Sequence, residues 1–208
     1  IVPSAAFQCG NCHAALVKDW QSDTHAQSAI NPTVLVFYDS TLAPAFRLDF
    51  PHSAGNCSTC HAPADAVRHP WDTHLRQLSP IGKKGVSCDV CHKMTSATPD
   101  PSGGRPGVLS IQFRRPSGRH QLFLGPLDDV VAGPDSYAPI FQQSQLCASC
   151  HSAKFWGVST YSSFDEWKIT KQARKGIQCQ DCHMKSTGKT HNFAPDRGGT
   201  DRDPQTIH

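Results

Sequence analysis

No stretch of this chain stays apolar for long. The longest run, around Val34 to Tyr38, falls far short of the ~18 residues that a membrane span needs. Aliphatic bulk is thin too: hydrophobic residues make up 38% of 208, while glycine (15) and proline (16) are plentiful. That balance excludes a large regular sheet or a long helical bundle, and something other than an aliphatic core has to help hold the chain together. The sequence opens on Ile1 rather than Met, which reads as a processed product whose signal peptide has been removed. Its first cysteine, Cys9, already belongs to a pair, which argues against an N-terminal lipid anchor. A soluble, exported product of one domain or two small ones is expected.

No cysteine stands alone. All ten fall in Cys-x-x-Cys pairs: Cys9/Cys12, Cys57/Cys60, Cys88/Cys91, Cys147/Cys150 and Cys179/Cys182. Each pair is followed directly by a histidine, namely His13, His61, His92, His151 and His183. Structural zinc also uses such pairs, but it does not require histidine at the next position every time. Disulfides across two intervening residues close loops too tight to add much stability. Cys-x-x-Cys-His is the attachment motif of c-type haem. The two thiols add to the porphyrin vinyl groups, and the histidine turns its imidazole under the ring to ligate the iron from the proximal side. Five covalently bound haem c groups are therefore expected, and they supply the apolar bulk that the side chains lack.

Charge of one sign is also scarce, at a formal +3. Two propionates on each of five haems add about ten carboxylates, which removes any case for a nucleic-acid partner.

The motifs open at residues 9, 57, 88, 147 and 179, so the second lies close to the third and the fourth close to the fifth. Both close pairs end in one phrase, KGVSCDVCH at 84–92 and KGIQCQDCH at 175–183. The chain reads as a single pentahaem domain over 1–208: a lead haem in 1–50, a two-haem unit in 51–100, an insert in 101–130 and a second two-haem unit in 131–208. Gly85 and Gly176 are expected to end a preceding helix and to let the chain pass close to a porphyrin face.

The fold class expected is mainly α with much irregular structure, short helices and loops wrapped around covalently bound haems. A helix is expected over Ser4 to Trp20. The spacing Ser163-Phe-Asp-Glu166 predicts a capping box and a helix running to about Lys175. Between Val108 and Leu124, Leu109, Ile111 and Phe113 alternate, Pro116-Ser-Gly118 offers a turn, and His120, Leu122 and Leu124 alternate again. That pattern predicts one β-hairpin near 108–124, with His120 facing inward.

Each iron needs a second axial ligand or an open position. Met94 and Met184 lie too close behind their own proximal histidines to reach over the ring, so bis-histidine ligation and low potentials are favoured. Seven histidines remain. His25 and His74 each end an Asp-Thr-His that follows a tryptophan (Trp20 and Trp71), and both are candidate distal ligands. His120 on its strand, His191 after the fifth motif and His52 before the second complete the candidate set. His69, ahead of Pro70, ranks behind them. His208, the last residue, is a further candidate, for an iron of this chain or in trans for one of another subunit.

The stretch CGNCHAALVKDWQSDTHA at 9–26 resembles the opening of multihaem cytochromes related to hydroxylamine oxidoreductase and to its tetrahaem electron acceptor. In that group a Trp and a Ser precede a His-Ala whose histidine is a distal ligand; here Asp23 stands where the serine is expected. GVSCDVCHKM, SQLCASCH, EWKITKQARKGIQCQDCHM and HNF before Gly198-Gly199 are similar to the same superfamily. The resemblance implies His25 and His191 as distal ligands. It also brings in small, haem-dense relatives that polymerise into extracellular filaments.

These features point to electron transfer along closely packed haems and to no catalytic residue. Redox partner proteins or extracellular acceptors are the expected partners, with a homopolymer as a further option, no membrane span, and a periplasmic or, preferably, extracellular location. The competing readings are a soluble periplasmic shuttle and a multihaem oxidoreductase acting on a small nitrogen or sulfur compound at one open-site haem. Spare histidines outnumber irons, so nothing requires an open site. Tyr38, Tyr137 and Tyr161 show no special setting in the sequence.

Overall fold

The computed structural model describes residues 9–11, 14–42, 44, 52–102, 104–114, 123–126, 137–155 and 157–184. Over them the chain forms short helices: α1 Ala14–Gln21, α2 Thr24–Gln27, α3 Pro32–Phe37, α4 Ser58–His61, α5 Pro63–Ala66, α6 Cys88–Cys91, α7 Gln145–His151, α8 Ser163–Lys168, α9 Lys171–Arg174 and α10 Cys179–His183. A π-helical turn, Tyr38–Leu42, extends α3, and 3₁₀ turns cover Gly82–Lys84, Gly107–Ser110 and Pro139–Gln142. The strands are β1 Met94–Ala97, β2 Ile111–Phe113, β3 Ala153–Phe155 and β4 Val158–Tyr161, in two separate two-stranded antiparallel sheets. The expected fold class, short helices in much irregular chain, is what is found.

Helices this short form because the sequence stops them early. Asn31 caps α3 by accepting from Thr33 and Val34 N–H, and Pro32 suits the first helical position. The single helix expected over 163–175 is two. Ser162 rather than Ser163 occupies the N-cap, with its hydroxyl on the Glu166 carboxylate. The β-branched pair Ile169-Thr170 interrupts the turn, and the Thr170 hydroxyl accepts from Ala173 N–H to start α9. The reciprocal capping box lies instead at Gln178 and Asp181, where it opens α10.

The hairpin expected near 108–124 is described in its first arm only. Its first arm is a strand, β2, but β2 pairs with β1 in the register Ala97↔Ile111 and Met94↔Phe113. β1 lies just after the third motif, so β2 has a partner from the preceding segment. Residues 115–122, with His120, lie outside the described set, while Leu124 N–H bonds to His92 O at 2.8 Å.

Buried side chains gather in small groups rather than one core. Ala29, Tyr38, Ala62, Leu75 and Leu78 form one, with Cys57 packed against it. Val90, Met94 and Ile111 form another beside the third motif. Ala97, Leu124, Ala138 and Ile140 form a third, against Phe141 and Leu146. Each lies beside an attachment motif. Among the described residues, no helix is long and apolar enough to cross a membrane.

Candidate haem centre

Four motifs are described in full, and each lies on a short helix or its cap, in α4, α6, α7 and α10. The helical period places residues i, i+3 and i+4 on one face, so both thiols and the following imidazole project to the same side. His61 N–H bonds to Cys57 O at 3.0 Å and His92 N–H to Cys88 O at 2.9 Å, which closes that turn. The nine described cysteines form no disulfide with one another. Cys12 and His13 lie outside the described residues. Among the described residues no group of three or more His, Cys, Asp or Glu side chains converges to hold a metal ion, which leaves no zinc-type cluster.

The fifth motif departs from the setting of the others. Cys182, read from sequence as an attachment thiol like the rest, is exposed, whereas the other eight described cysteines are half-buried. His183 beside it is exposed, as His92 of the third motif also is. The cause is how α10 is anchored. Ser144 N–H donates to Gln178 Oε1, Cys179 N–H donates to Ser144 Oγ, and the Gln180 amide donates to Phe141 O. These bonds hold the start of the helix, and its last residues, Asp181, Cys182 and His183, face solvent. Sequence spacing carries no sign of this difference, because the third motif, whose cysteines are half-buried, has the same spacing.

The imidazoles of the second and third motifs are held by backbone carbonyls. His61 Nδ1 lies 3.2 Å from Ser28 O and His92 Nδ1 2.6 Å from Leu124 O. A carbonyl only accepts, so each Nδ1 carries the proton and each Nε2 keeps its lone pair for iron. Burial pushes both pKa values down, against those carbonyl bonds, and favours the neutral, ligating form. His92 also lies between two buried charges, Asp89, which raises its pKa, and Lys93, which lowers it. The Lys93 ammonium sits 3.9 Å from the centre of the Phe123 ring.

The sulfurs of separate motifs meet. Cys60 bonds with Cys150, Cys147 with Cys179, and Cys9 with Cys88. The charge of Cys91 is also felt at Cys147 and Cys150. Motif four thus meets motif five within its own unit, while its link to motif two and that of motif one to motif three cross the units read from sequence. Burial pushes Cys57 up to about 12, ahead of repulsion from Cys60. It likewise brings Cys88 and Cys91 to about 11. Contact with Cys147 draws Cys179 down to about 6 and raises Cys147. Crowding of this kind is relieved once each sulfur is a thioether.

Among the distal candidates, His25 is the best placed. Asp23 caps α2, accepting from His25 N–H at 2.6 Å, and its carboxylate lies 3.4 Å from His25 Nδ1. The His25 ring stands 6.0 Å from the proximal His151 ring, at 87° to it. Two imidazoles on one metal, each bonded at about 2 Å, have ring centres ~6 Å apart. His74 is exposed and bonds through Nδ1 to Tyr38 Oη at 3.1 Å. It borders two cavities, one of about 450 Å³ shared with His69 and one of about 270 Å³ shared with Tyr38 and Arg76. His52 and His69 are exposed. His120, His191 and His208 lie outside the described residues.

The repeated phrase proves to be a docking device. The Trp20 indole N–H donates to Val86 O at 2.9 Å, and that of Trp167 donates to Ile177 O at 3.1 Å. Val86 N–H in turn bonds to His25 O at 2.9 Å. Gly85 ends a 3₁₀ turn at φ 62°, and its close approach is to the His25 backbone. Gly176 follows α9 at φ 78° and faces open space. Replacing Trp20 with Phe should lower stability by about 1–2 kcal/mol through the orphaned carbonyl, and more than the same change at half-buried Trp167. Thermal melts of the two variants test this; an equal or reversed order would refute the docking role.

Ser28, Tyr38 and Lys93 were not visible as site residues in the sequence. Ser28 acts through its carbonyl, and its hydroxyl lies 2.9 Å from both His25 O and His61 O. Backbone roles leave no compositional trace. The tryptophan that precedes each phrase was the one signal available.

Paired thiols on a helical turn, with an Nδ1-anchored imidazole beside them, are a donor set that fits covalently attached haem c. The sequence matches the family described as cytochrome c554 and c-prime over residues 8–93 and 134–189. The chain belongs to that family. In fold it is similar to a penta-haem cytochrome c552 from Thermochromatium tepidum, with a TM-score of 0.62 and 17% identity. That likeness covers 89% of this chain and 55% of the other, so the chain spans about half of its structural relative. No curated protein matches the sequence. Haem-based electron transfer with covalently bound haem c is thereby supported for this chain.

Proposed function

We propose that the chain is an electron carrier holding five haems c, with protein imidazoles on both sides of each iron and low potentials. The observation that carries this reading is the 6.0 Å approach of His25 to proximal His151. A sixth position filled by the protein leaves no room for a small substrate, which favours a conductor over an oxidoreductase with an open site.

When bound, the haems supply one-electron exchange between ferric and ferrous iron. The chain's residues do the rest. The ten cysteines would hold the porphyrin edges. His13, His61, His92, His151 and His183 supply proximal imidazoles, and Ser28 O and Leu124 O fix two of these in the ligating tautomer. His25, His52, His74, His120 and His191 are the proposed distal set, with His208 as a ligand here or in trans. The sulfur contacts of motif four with motifs two and five support close packing of neighbouring haems.

The affinity of the motif flanks for the hydroxylamine oxidoreductase superfamily, an exported and preferably extracellular location, and self-assembly into a filament belong to the same proposal. They rest on the sequence resemblance. Absorption and EPR spectra of the purified holoprotein test the core of it, with mass spectrometry to count haems. Five haems, all low-spin and unreactive with cyanide, are expected. One high-spin, cyanide-binding haem would move the assignment to the oxidoreductase. Electron microscopy showing only monomers at high concentration would remove the filament alone.

A further inference from the structure

We infer that Tyr38 is the positioning residue that commits His74 to iron through Nε2. The inference rests on the proposed distal role of His74. Tyr38 is 3% exposed, and its ring packs with Ala29, Ala62, Leu75 and Leu78. Its hydroxyl reaches two groups, the Ala54 carbonyl at 3.3 Å and His74 Nδ1 at 3.1 Å. A phenol has one hydrogen to donate, and a carbonyl only accepts. The arrangement that satisfies all three atoms has Tyr38 donating to Ala54 O and accepting from His74 Nδ1–H. His74 Nε2 then keeps its lone pair.

The opposite arrangement, with Tyr38 donating to Nδ1, would put the imidazole proton on Nε2 and block ligation. The Ala54 carbonyl therefore selects the tautomer through the tyrosine. His61 and His92 are held by Nδ1 to a carbonyl directly. His74 has the same arrangement with one hydroxyl interposed. Local structure aims the group: Tyr38 opens the π-helical turn at the end of α3, and Asp39 beside it takes both Nε and Nη2 of Arg76 on one carboxylate oxygen. That pair ties the turn to the segment carrying His74. The exposed imidazole borders the cavity of about 450 Å³, which Tyr38 does not line.

An acceptor on Nδ1–H makes an imidazole a stronger donor to iron and stabilises the ferric state. In the Tyr38→Phe holoprotein, which keeps the packed ring, one haem should shift to higher potential and its low-spin EPR signal should move. The remaining haems should be unchanged. His74→Ala is the companion variant, and one haem should turn high-spin and regain a low-spin spectrum with added imidazole. If His74→Ala leaves every haem low-spin, the distal assignment falls and the inference with it. If His74→Ala gives the high-spin haem while Tyr38→Phe leaves every potential and EPR signal in place, the ligand set stands and the role of Tyr38 is refuted.

Discussion

A Gly85→Ala variant is expected to lose about 3 kcal/mol of stability and to loosen His25 from its place beside His151. A Cβ at position 85 would fall 2.2 Å from His25 O, 2.5 Å from Ser28 Oγ and 3.1 Å from Ala26 O. The first and third of these are backbone atoms of α2, so relief requires that helix to move as a unit. The backbone at Gly85, φ 62° and ψ −136°, is also one that a side chain disfavours. Both effects act where Val86 N–H holds the His25 carbonyl, so strain there reaches the distal candidate directly. Gly176→Ala is the internal control. It occupies the same place in the second phrase, at φ 78°, but a Cβ there meets nothing within 4 Å. Only backbone strain of about 1 kcal/mol applies. Chemical denaturation of the two holoproteins should separate them clearly, and an equal loss would mean that Gly85 does not seat α2.

Replacing His25 with Ala should convert one haem from low-spin to high-spin, open it to cyanide, and raise its potential. The helix that carries the residue is held by groups other than the imidazole. Asp23 caps it, Ser28 Oγ bonds to the His25 carbonyl, and Val86 N–H bonds to the same oxygen. Deleting the ring should therefore leave the fold in place and remove one axial bond. Added imidazole should restore the low-spin signal. A spectrum identical to that of the parent would show that the 6.0 Å approach to His151 is a ring contact and not a shared iron.

How much of this could be read in the residues follows from distance along the chain. The attachment turn is local: cysteine, cysteine and histidine need only a helical period to face one way, and the spacing states that. Short helices and irregular chain followed from glycine, proline and the want of aliphatic bulk. Pairing across the chain did not. Ile111 to Phe113 alternates as a strand should, yet its partner at Met94 to Ala97 has no mark that distinguishes it from a turn's far arm. The capping serine fell one residue from its expected place, because adjacent serines 162 and 163 offer the same chemistry. The exposure of Cys182 was equally hidden, since burial depends on what packs over a motif and not on the motif itself. The carbonyls of Ser28, Leu124 and Ala54 orient imidazoles through atoms that every residue has.

The scattered packing has a consequence for how the protein is made. Among the described residues, buried side chains gather into separate groups of two to five residues. Such a chain has little to gain by collapsing before its thiols are filled, so maturation and folding are one event. A cell short of haem would accumulate no reservoir of apoprotein awaiting cofactor. Unmatured chains would present open backbone to proteases and be cleared. The amount of this cytochrome would then track haem supply without any dedicated regulator.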